Sequence, residues 1–249
     1  MSDSDAERSS EETRGLASWH YICEIPEFTM DWSSTALIVI DLQYQQVARH
    51  HGFFKRLAEA GLSDDAAGTI DRIEQILVPN VQKLTAAFRE RGAPIFYTRC
   101  VSVRGDGSDQ TRRHIAFGVF CTLGSKDAQI LEELAPQEGD ILLNKSGSSV
   151  FNSTNIEHLL RNMGIRTLVM TGVWTNSCVE GATRDAGDLD FDVALAEDAC
   201  AAMSPQGHRR ALEYLDKNFC YVWSTDEILA RLDAGSAAAA EEEVGALPG

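Results

Sequence analysis

Short apolar runs alternate with longer amphipathic stretches along most of this chain. The runs have the length and composition of strands, and they are ALIVID, PIFYTR, DILLNK, TLVMTGV, DVALAEDA and YVWST. The stretches with helical spacing between and after them cover residues 70–91, 129–134, 155–163, 178–189, 205–218 and 226–232. Such alternation predicts parallel strands joined by helical crossovers, because parallel neighbours need long connections. We expect an α/β protein, a three-layer α/β/α sandwich with a mostly parallel central sheet.

The two ends of the chain differ in composition from the part between them. Residues 1–17 are rich in Ser, Asp and Glu, and residues 234–249 read AGSAAAAEEEVGALPG, without a face that could join a core. We predict disordered tails over both segments and a single domain over residues 18–233. Within the domain, Pro79 interrupts an apolar helical stripe, so we expect a kink or two separate helices there.

The balance of charge argues against two classes of partner. The formal net charge is −16, which gives the wrong sign for binding nucleic acid or an acidic membrane surface. No apolar stretch approaches the ~20 residues that span a bilayer. The N-terminus, MSDSDAERSSEET, is acidic where a signal peptide would be basic and then apolar. We therefore predict a cytoplasmic protein.

Three chemically complementary side chains fall where predicted strands end. Asp41 closes ALIVID, Lys145 closes DILLNK, and Cys178 follows TLVMTGV at the start of a helical pattern. In open α/β sheets, ligands bind outside the carboxyl ends of the strands. A cysteine at a helix N-terminus is stabilised as a thiolate, which is the nucleophilic form. Each charge alone is typical of a surface residue, but their joint placement indicates one site that holds an acid, a base and a thiol.

The remaining cysteines and the histidines show no ligand spacing. The six cysteines are Cys23, Cys100, Cys121, Cys178, Cys200 and Cys220, and no CxxC motif occurs among them. Neither a disulfide framework nor a zinc site is indicated, and the cysteines other than Cys178 are expected to fill the core. The histidines show no HxxxH or HxH pair. We predict no bound metal.

The motifs from about Thr35 to Ser224 resemble those of a known family. They are ALIVIDLQ, NKSGSSVFNSTNIEHLLRNMGIRTLVMTGVWTNSCVEGATRDA and ALAEDAC. They are similar to the isochorismatase-like cysteine hydrolases, which include nicotinamidases, N-carbamoylsarcosine amidohydrolases, biuret hydrolases and ureidoacrylate amidohydrolases. The resemblance implies a Rossmann-like central sheet, and it places the family's catalytic aspartate, lysine and cysteine on Asp41, Lys145 and Cys178.

The resemblance also implies a covalent mechanism. Asp41 would take the proton of Cys178, and the thiolate would attack a carbonyl carbon and expel an amine or ammonia. Water activated by Asp41 would then hydrolyse the thioester. In this family the bond equivalent to Val173–Trp174 is a non-proline cis peptide, and the backbone N–H groups of Trp174 and Cys178 would form the oxyanion hole. Relatives are often dimers or tetramers, so a homo-oligomer is expected.

Departures from individual relatives narrow the expected reaction. Nicotinamidases carry an Asp-x-His metal site after the strand equivalent to PIFYTR, where this chain has Cys100, Val101, Ser102 and Val103. Isochorismatases that cleave a vinyl ether commonly lack the cysteine, which this chain retains. We therefore favour a cofactor-independent hydrolase of a small linear amide, N-carbamoyl or ureido compound. The alternatives are a vinyl-ether hydrolase and a non-catalytic member with a reactive thiol.

Candidate substrate contacts are less sharply defined. Trp174 would wall one side of the pocket, and Tyr44, Phe117 and Phe151 are further aromatic candidates, although each fits a core position as well. Gln43 is also a candidate, but it is better placed to brace the Asp41 loop. For a substrate that carries a carboxylate, an arginine is the natural clamp because its fork matches two oxygens. Arg104, Arg112 and Arg113 lie in a suitable loop, and the sequence singles out none of them.

Overall fold

The computed structural model of the protein describes residues 24–119 and 121–245. The predicted N-terminal tail, residues 1–17, lies outside the described residues, as do Cys23 and residues 246–249. Within the described part of the chain, no helix is both long and apolar enough to cross a bilayer.

The strands follow the predicted apolar runs, with one short addition. They are β1 (Thr35–Ile40), β2 (Ile95–Ser102), β3 (Cys121–Thr122), β4 (Ile141–Lys145), β5 (Thr167–Val173), β6 (Asp192–Ala201) and β7 (Tyr221–Trp223). The helices are α1 (Tyr44–Val47), α2 (Gly52–Glu59), α3 (Ser63–Arg72), α4 (Val78–Arg91), α5 (Arg112–Phe117), α6 (Ile156–Asn162), α7 (Glu180–Asp188), α8 (Pro205–Leu215) and α9 (Thr225–Gly245). Residues 129–134, predicted to be helical, contain only a short 3₁₀ turn, Glu132–Leu134.

The described strands form one sheet in which every strand pair is parallel. Their spatial order is β3-β2-β1-β5-β6-β7, and β4 also pairs with β2. The chain therefore leaves β1 toward β2 on one side and returns to β5 on the other. This reversal of strand order creates a crevice at the carboxyl ends of β1 and β5, which is where open α/β sheets bind ligands.

Two apolar cores cover the two faces of the sheet, as a three-layer sandwich requires. Along β1 the side chains alternate between these faces: Leu37 and Val39 join one core, and Ala36, Ile38 and Ile40 join the other. The first core is completed by α3, α4 and α9, and the second by α6, α7 and α8. Because both faces are covered, β1 and β5 are buried at every residue, which explains their continuous apolar sequences. The predicted fold class is confirmed.

The helical backbone continues from α3 through Pro79, so the chain is not divided into two separated helices there. A π-helical turn, Ile73–Leu77, joins α3 to α4 directly, and Pro79 lies in the first turn of α4. The wider turn accommodates a residue that has no N–H and a bulky ring, so the helical path continues through it.

The prediction of a disordered tail from residue 234 is wrong for residues 234–245, which belong to α9. Trp32 N donates a hydrogen bond of 2.9 Å to Ser236 Oγ, and Trp32 Nε1 donates one of the same length to Asp233. Alanine and glutamate are strong helix formers, so the run AAAAEEE extends a helix that these contacts anchor. The lack of a face that could join a core reflects the exposure of the segment and does not exclude a helix.

Candidate active site

Asp41 follows the last residue of the central strand β1 and is almost completely buried. Its backbone has a φ of +56°, a left-handed conformation that turns the chain sharply at the strand end. Asp41 N donates to Thr98 O at 3.1 Å, and Thr98 Oγ1 donates to Asp41 Oδ1 at 2.9 Å. The neighbouring strand β2 therefore fixes both the backbone and one carboxylate oxygen of this residue.

Lys145 is the last residue of β4, and its side chain is buried beside Asp41. Its Nζ lies 2.8 Å from Asp41 Oδ2 and 2.9 Å from the carbonyl oxygens of Gly147 and Ser148. Burial acts to lower the pKa of Lys145, but the Asp41 carboxylate and two nearby sulfur atoms outweigh it, so this pKa lies well above its ordinary value. Lys145 therefore carries a positive charge at neutral pH.

Cys178 lies in a π-helical turn, Thr175–Val179, between β5 and α7, one turn before the helix that the sequence placed it on. Its Sγ is 3.4 Å from Lys145 Nζ. A hydrogen bond with Cys100 lowers the pKa of Cys178 below its ordinary value; burial opposes this shift, and the charge of Lys145 adds to it. The surroundings therefore favour the thiolate.

A second thiol, Cys100, belongs to the same cluster, and sequence reasoning missed it. Cys100 was expected to fill the core, but it lies on β2 directly opposite Lys145 in the pairing with β4. Its Sγ is 3.2 Å from Lys145 Nζ and 3.6 Å from Asp41 Oδ2. The signal that could have found it is its position, since it stands at the end of a strand next to those of Asp41 and Lys145.

The sulfur of Cys178 faces a cavity of about 300 Å³. The cavity is lined by Gln46, Phe53, Cys100, Arg113, His114, Phe117, Val119, Trp174, Asn176, Ser177, Cys178 and Met203. This volume lies at the small end of the range for ligand sites, and apolar walls with a few polar groups are typical of them. The site can therefore enclose a small molecule beside a thiolate.

Arg113 is the arginine that the structure brings to this cavity. One of its terminal nitrogens is 2.5 Å from Ser148 Oγ, and the other is 3.2 Å from Ser177 Oγ, next to the nucleophile. Its guanidinium also lies over the ring of Phe117, 5.5 Å from the ring centre. Neighbouring His114 is buried, and this burial lowers its pKa to about 4, with the charge of Lys145 acting in the same direction. His114 is therefore neutral at pH 7, and the positive charge at the mouth comes from Arg113.

Trp174 forms a fixed wall of the cavity, as one of the two readings of the sequence suggested. Its Nε1 donates to Gln46 Oε1 at 3.0 Å, and its ring packs against Phe53 and Phe54 with centroids 5.9 and 6.1 Å apart. The Val173–Trp174 peptide bond is cis, as the family resemblance implied. The indole is held by a hydrogen bond and by aromatic contacts, so it defines the shape of the pocket.

Of the other candidate substrate contacts, one lines the cavity and four do not. Phe117 lines the cavity and is 62% exposed. Four candidates lie away from the cavity lining: Gln43, Tyr44, Arg104 and Phe151. Tyr44 packs against His51 and Lys126, Phe151 packs against Phe191, and exposed Arg104 pairs with Asp106.

Gln43 is fully buried and braces the strand next to Asp41. Cys100 N donates to Gln43 Oε1 at 2.6 Å, and Gln43 Nε2 donates to Cys100 O at 3.1 Å. This bidentate contact fixes the backbone of Cys100, which agrees with a bracing role and leaves no amide group for a substrate.

Several lining residues had no sequence signal. Asn176 and Ser177 stand in the turn before Cys178, and Phe53 and Met203 come from α2 and from the loop before α8. Only the packing of α2 and this loop over the sheet edge brings them to the cavity. Among the described residues, no group of three or more His, Cys, Asp or Glu side chains is arranged to hold a metal ion.

Known proteins resemble this chain in sequence and in fold. The model of the isochorismatase domain matches residues 35–227. The ureidoacrylate amidohydrolase RutB of Agrobacterium fabrum is 32% identical over 216 residues, which are 80% of this chain and 90% of that protein. A cysteine hydrolase from Pseudomonas syringae pv. phaseolicola superposes with a TM-score of 0.67 at 26% identity and covers 85% of this chain and 100% of its own. N-carbamoylsarcosine amidase from Thermoplasma acidophilum gives 0.59 at 25% identity, covering 78% and 97% respectively.

Proposed function

The chain belongs to the isochorismatase family, and from this membership we propose that it is an amidohydrolase with a cysteine nucleophile. Its substrate is a small linear amide, N-carbamoyl or ureido compound, whose C–N bond is cleaved through a thioester. The enzyme needs no cofactor, because the thiol, the carboxylate and the ammonium supply the nucleophile, the base and the stabilising charge.

One observation carries this proposal. The ammonium of Lys145 contacts both Asp41 Oδ2, at 2.8 Å, and Cys178 Sγ, at 3.4 Å, at the edge of the cavity. A thiolate beside a buried cation, with a carboxylate in reach of the same group, is an arrangement that activates a thiol for acyl transfer.

In the proposed reaction, Asp41 accepts the proton of Cys178, and the thiolate attacks the carbonyl carbon of the substrate. The backbone N–H groups of Trp174 and Cys178 stabilise the oxyanion of the tetrahedral intermediate. The intermediate expels ammonia or an amine, which takes the proton held by Asp41. A water molecule then gives a proton to Asp41 and attacks the thioester, which releases the acid and restores the thiolate.

The cavity favours a substrate with one anionic end. Arg113 is the charged side chain among the lining residues, and it stands next to Ser177 and hence close to the nucleophile. Two similar proteins are named ureidoacrylate amidohydrolase and N-carbamoylsarcosine amidase. Both names contain a small compound that carries a carboxylate and a urea-type nitrogen. We therefore assign the carboxylate to Arg113 and the scissile carbonyl to the space above Cys178. We also expect the protein to be cytoplasmic and to form a homodimer or homotetramer. Light scattering of the purified protein measures its oligomeric state.

The test is ammonia release from a panel of N-carbamoyl amino acids, ureidoacrylate, biuret, maleamate, nicotinamide and simple amides. The wild type is compared with Cys178→Ala and with Cys220→Ala, which removes a buried thiol elsewhere in the same core cluster. Release that is abolished in Cys178→Ala and retained in Cys220→Ala supports the proposal. A silent panel, with vinyl-ether cleavage by both the wild type and Cys178→Ala, would instead identify an acid-catalysed ether hydrolase.

A further inference from the structure

The turn that carries the nucleophile has an irregular backbone and is held by side-chain contacts in two places. It is the π-helical turn Thr175–Val179, and Asn176 within it has a non-helical backbone with φ −90° and ψ 24°. On the cavity side, a terminal nitrogen of Arg113 lies 3.2 Å from Ser177 Oγ. Away from the cavity lining, the turn is held through Thr175, which is fully buried.

The hydroxyl of Thr175 meets an imidazole on α8. Thr175 Oγ1 lies 2.8 Å from His208 Nδ1, and both residues are buried. On the far side of the ring, a terminal nitrogen of Arg72 lies 2.9 Å from His208 Nε2. A guanidinium has no acceptor, so Nε2 accepts, and the single ring proton of the neutral imidazole is on Nδ1. His208 therefore donates to Thr175, and Arg72 fixes the direction of this hydrogen bond.

Arg72 is itself anchored to the end of a strand. Its Nε donates to Cys200 O at 3.0 Å, and the terminal nitrogen that contacts the imidazole also donates to Glu197 O at 2.8 Å. Thr69, three residues earlier on the same face of α3, donates to Met203 O at 3.0 Å, just before α8 begins. The side chains of α3 thus tie the carboxyl half of β6 and the start of α8 together behind the nucleophile.

We propose that His208 is a positioning residue of the site, and that its hydrogen bond to Thr175 holds the turn against α8. The turn in this position keeps Cys178 Sγ 3.4 Å from Lys145 Nζ. Arg72 determines which ring nitrogen carries the proton and so makes the imidazole a donor toward the turn. His208 contacts neither the substrate nor the sulfur. The inference rests on the proposed function and deepens it, because it states what holds the nucleophile beside its cation from outside the cavity.

The surroundings of His208 keep the imidazole neutral at neutral pH, so the direction of the bond is constant. Burial, followed by the charges of Arg72 and Arg209, lowers the pKa of His208 to about 4. The acidic residues that line the same surface cleft as the ring are Asp71 on α3 and Glu197 on β6. A pH profile recorded around neutrality therefore follows the thiol and not the imidazole.

The test measures the pH dependence of alkylation at Cys178 by iodoacetamide, which is read from its own peptide by mass spectrometry. Thr175→Val keeps the shape of the side chain and lacks the acceptor, so the turn shifts and the sulfur moves away from Lys145. We expect the midpoint to rise by about half to one pH unit, the most that one hydrogen bond supports. Thr175→Ser retains the hydroxyl and the wild-type midpoint. The matched control, Thr85→Val, removes a buried hydroxyl that donates to Gln82 O on α4, and its midpoint is unchanged.

A double-mutant cycle shows whether the two residues act through one contact. His208→Leu removes both ring nitrogens, so its midpoint should rise as in Thr175→Val, and the double variant should rise no further. His208→Gln offers an amide N–H and a carbonyl oxygen, and it should restore most of the wild-type midpoint. A wild-type midpoint in Thr175→Val overturns the proposal, and so do shifts that add in the double variant. If urea denaturation shows that His208→Leu is unfolded, the Val and Ser variants of Thr175 decide the question.

Turnover provides a second measurement once the ammonia-release panel has supplied a substrate. A displaced nucleophile slows the chemical step, so kcat of Thr175→Val should fall about 10- to 100-fold while KM changes little. A raised KM with an unchanged kcat contradicts the proposal. The alkylation profile does not depend on turnover, so a wrong substrate class leaves it intact, and a failure there leaves the ammonia-release test of the proposed function intact.

Discussion

Lys145 Nζ and Asp41 Oδ2 lie 2.8 Å apart, and both side chains are at most 2% exposed. An ion pair taken so completely out of water is stabilised only by its mutual attraction and its hydrogen bonds. Here the remaining donors and acceptors are satisfied by Thr98 and by the carbonyl groups of Gly147 and Ser148. The same two side chains therefore serve the reactive centre and contribute to the stability of this edge of the sheet.

Removal of one partner of this pair is expected to destabilise the protein strongly. In Lys145→Met a buried carboxylate loses its counter-ion, so the free energy of unfolding should fall by about 3–5 kcal/mol in urea denaturation at pH 7. Lys217→Met is the control, since it breaks an exposed pair with Glu24 and should change the same quantity by less than about 1 kcal/mol. Adding Asp41→Asn to Lys145→Met should restore part of the loss. Equal small losses in both lysine variants would contradict this account.

Replacement of Arg113 by glutamine should weaken the binding of carboxylated substrates. A hydrogen bond between charged groups is worth roughly 1.5–3 kcal/mol, so KM should rise about 10- to 100-fold. The substrate control is an analogue in which the carboxylate is replaced by a neutral amide, and its KM should change little. The protein control is Arg112→Gln, at the exposed neighbouring position. A rise in KM that is the same for both substrates would show that Arg113 acts on pocket shape and not on charge.

Buried His208 should make the fold sensitive to acid. Its Nδ1 is 2.8 Å from Thr175 Oγ1, and its Nε2 is 2.9 Å from a guanidinium nitrogen of Arg72. Because arginine can only donate, Nε2 accepts and the proton lies on Nδ1. Burial, followed by the charge of Arg72, lowers the pKa of His208 to about 4 in the folded state.

The sign of this effect follows from the two states of His208. Between about pH 6.5 and 4 the unfolded chain binds the proton and the folded chain does not, so stability is lost as the pH falls through this window. We expect His208→Gln to reduce the acid-induced loss of unfolding free energy by about 2–3 kcal/mol relative to the wild type. The exposed His158, replaced in the same way, should leave the pH profile unchanged. Parallel profiles for the wild type and His208→Gln would refute the assignment.

A single methyl group at Gly172 should disrupt the strand that leads to Trp174. A Cβ there would stand 2.1 Å from Ile40 O on β1. The backbone φ is +109°, a value that residues with a side chain rarely adopt. Gly172→Ala should therefore lower the free energy of unfolding by at least about 3 kcal/mol, from strain and overpacking together. At Gly139 φ is similar, +95°, but no atom lies within 4 Å of the added carbon, so Gly139→Ala reports the conformational strain alone. Equal losses in thermal unfolding of the two variants would show that the contact with β1 is relieved by relaxation.

The sequence predicted the parts of this structure that depend on the order and periodicity of residues. Strand ends can be read from where apolar runs stop, and parallel topology brings such ends to one edge, which is why Asp41, Lys145 and Cys178 were placed together. Arg113 could not be singled out from its neighbours, and Cys100 was assigned to the core although it directly follows the predicted strand PIFYTR. Their roles depend on the register of β2 against β4 and on how α5 folds over the edge, and neither is written in local spacing.

Two other differences have local physical causes. The segment after residue 234 was judged by its lack of an apolar face, yet helix propensity and an anchored first half continue α9 to Gly245. Pro79 was expected to kink a helix or divide it in two, and a π-helical turn before it allows the helix to continue. In both cases, the expectation considered one local property, the apolar face or the proline, and the neighbouring helical segment determined the outcome.

The two halves of the site stand on different supports. Asp41, Cys100 and Lys145 are fixed at or near the carboxyl ends of parallel strands, whereas Arg113, His114, Phe117 and Val119 all come from one short stretch of chain around α5. Reactivity and substrate selectivity can therefore evolve separately. Replacement of this one stretch during evolution changes which substrate is bound and leaves the reactive side chains on the strands in place.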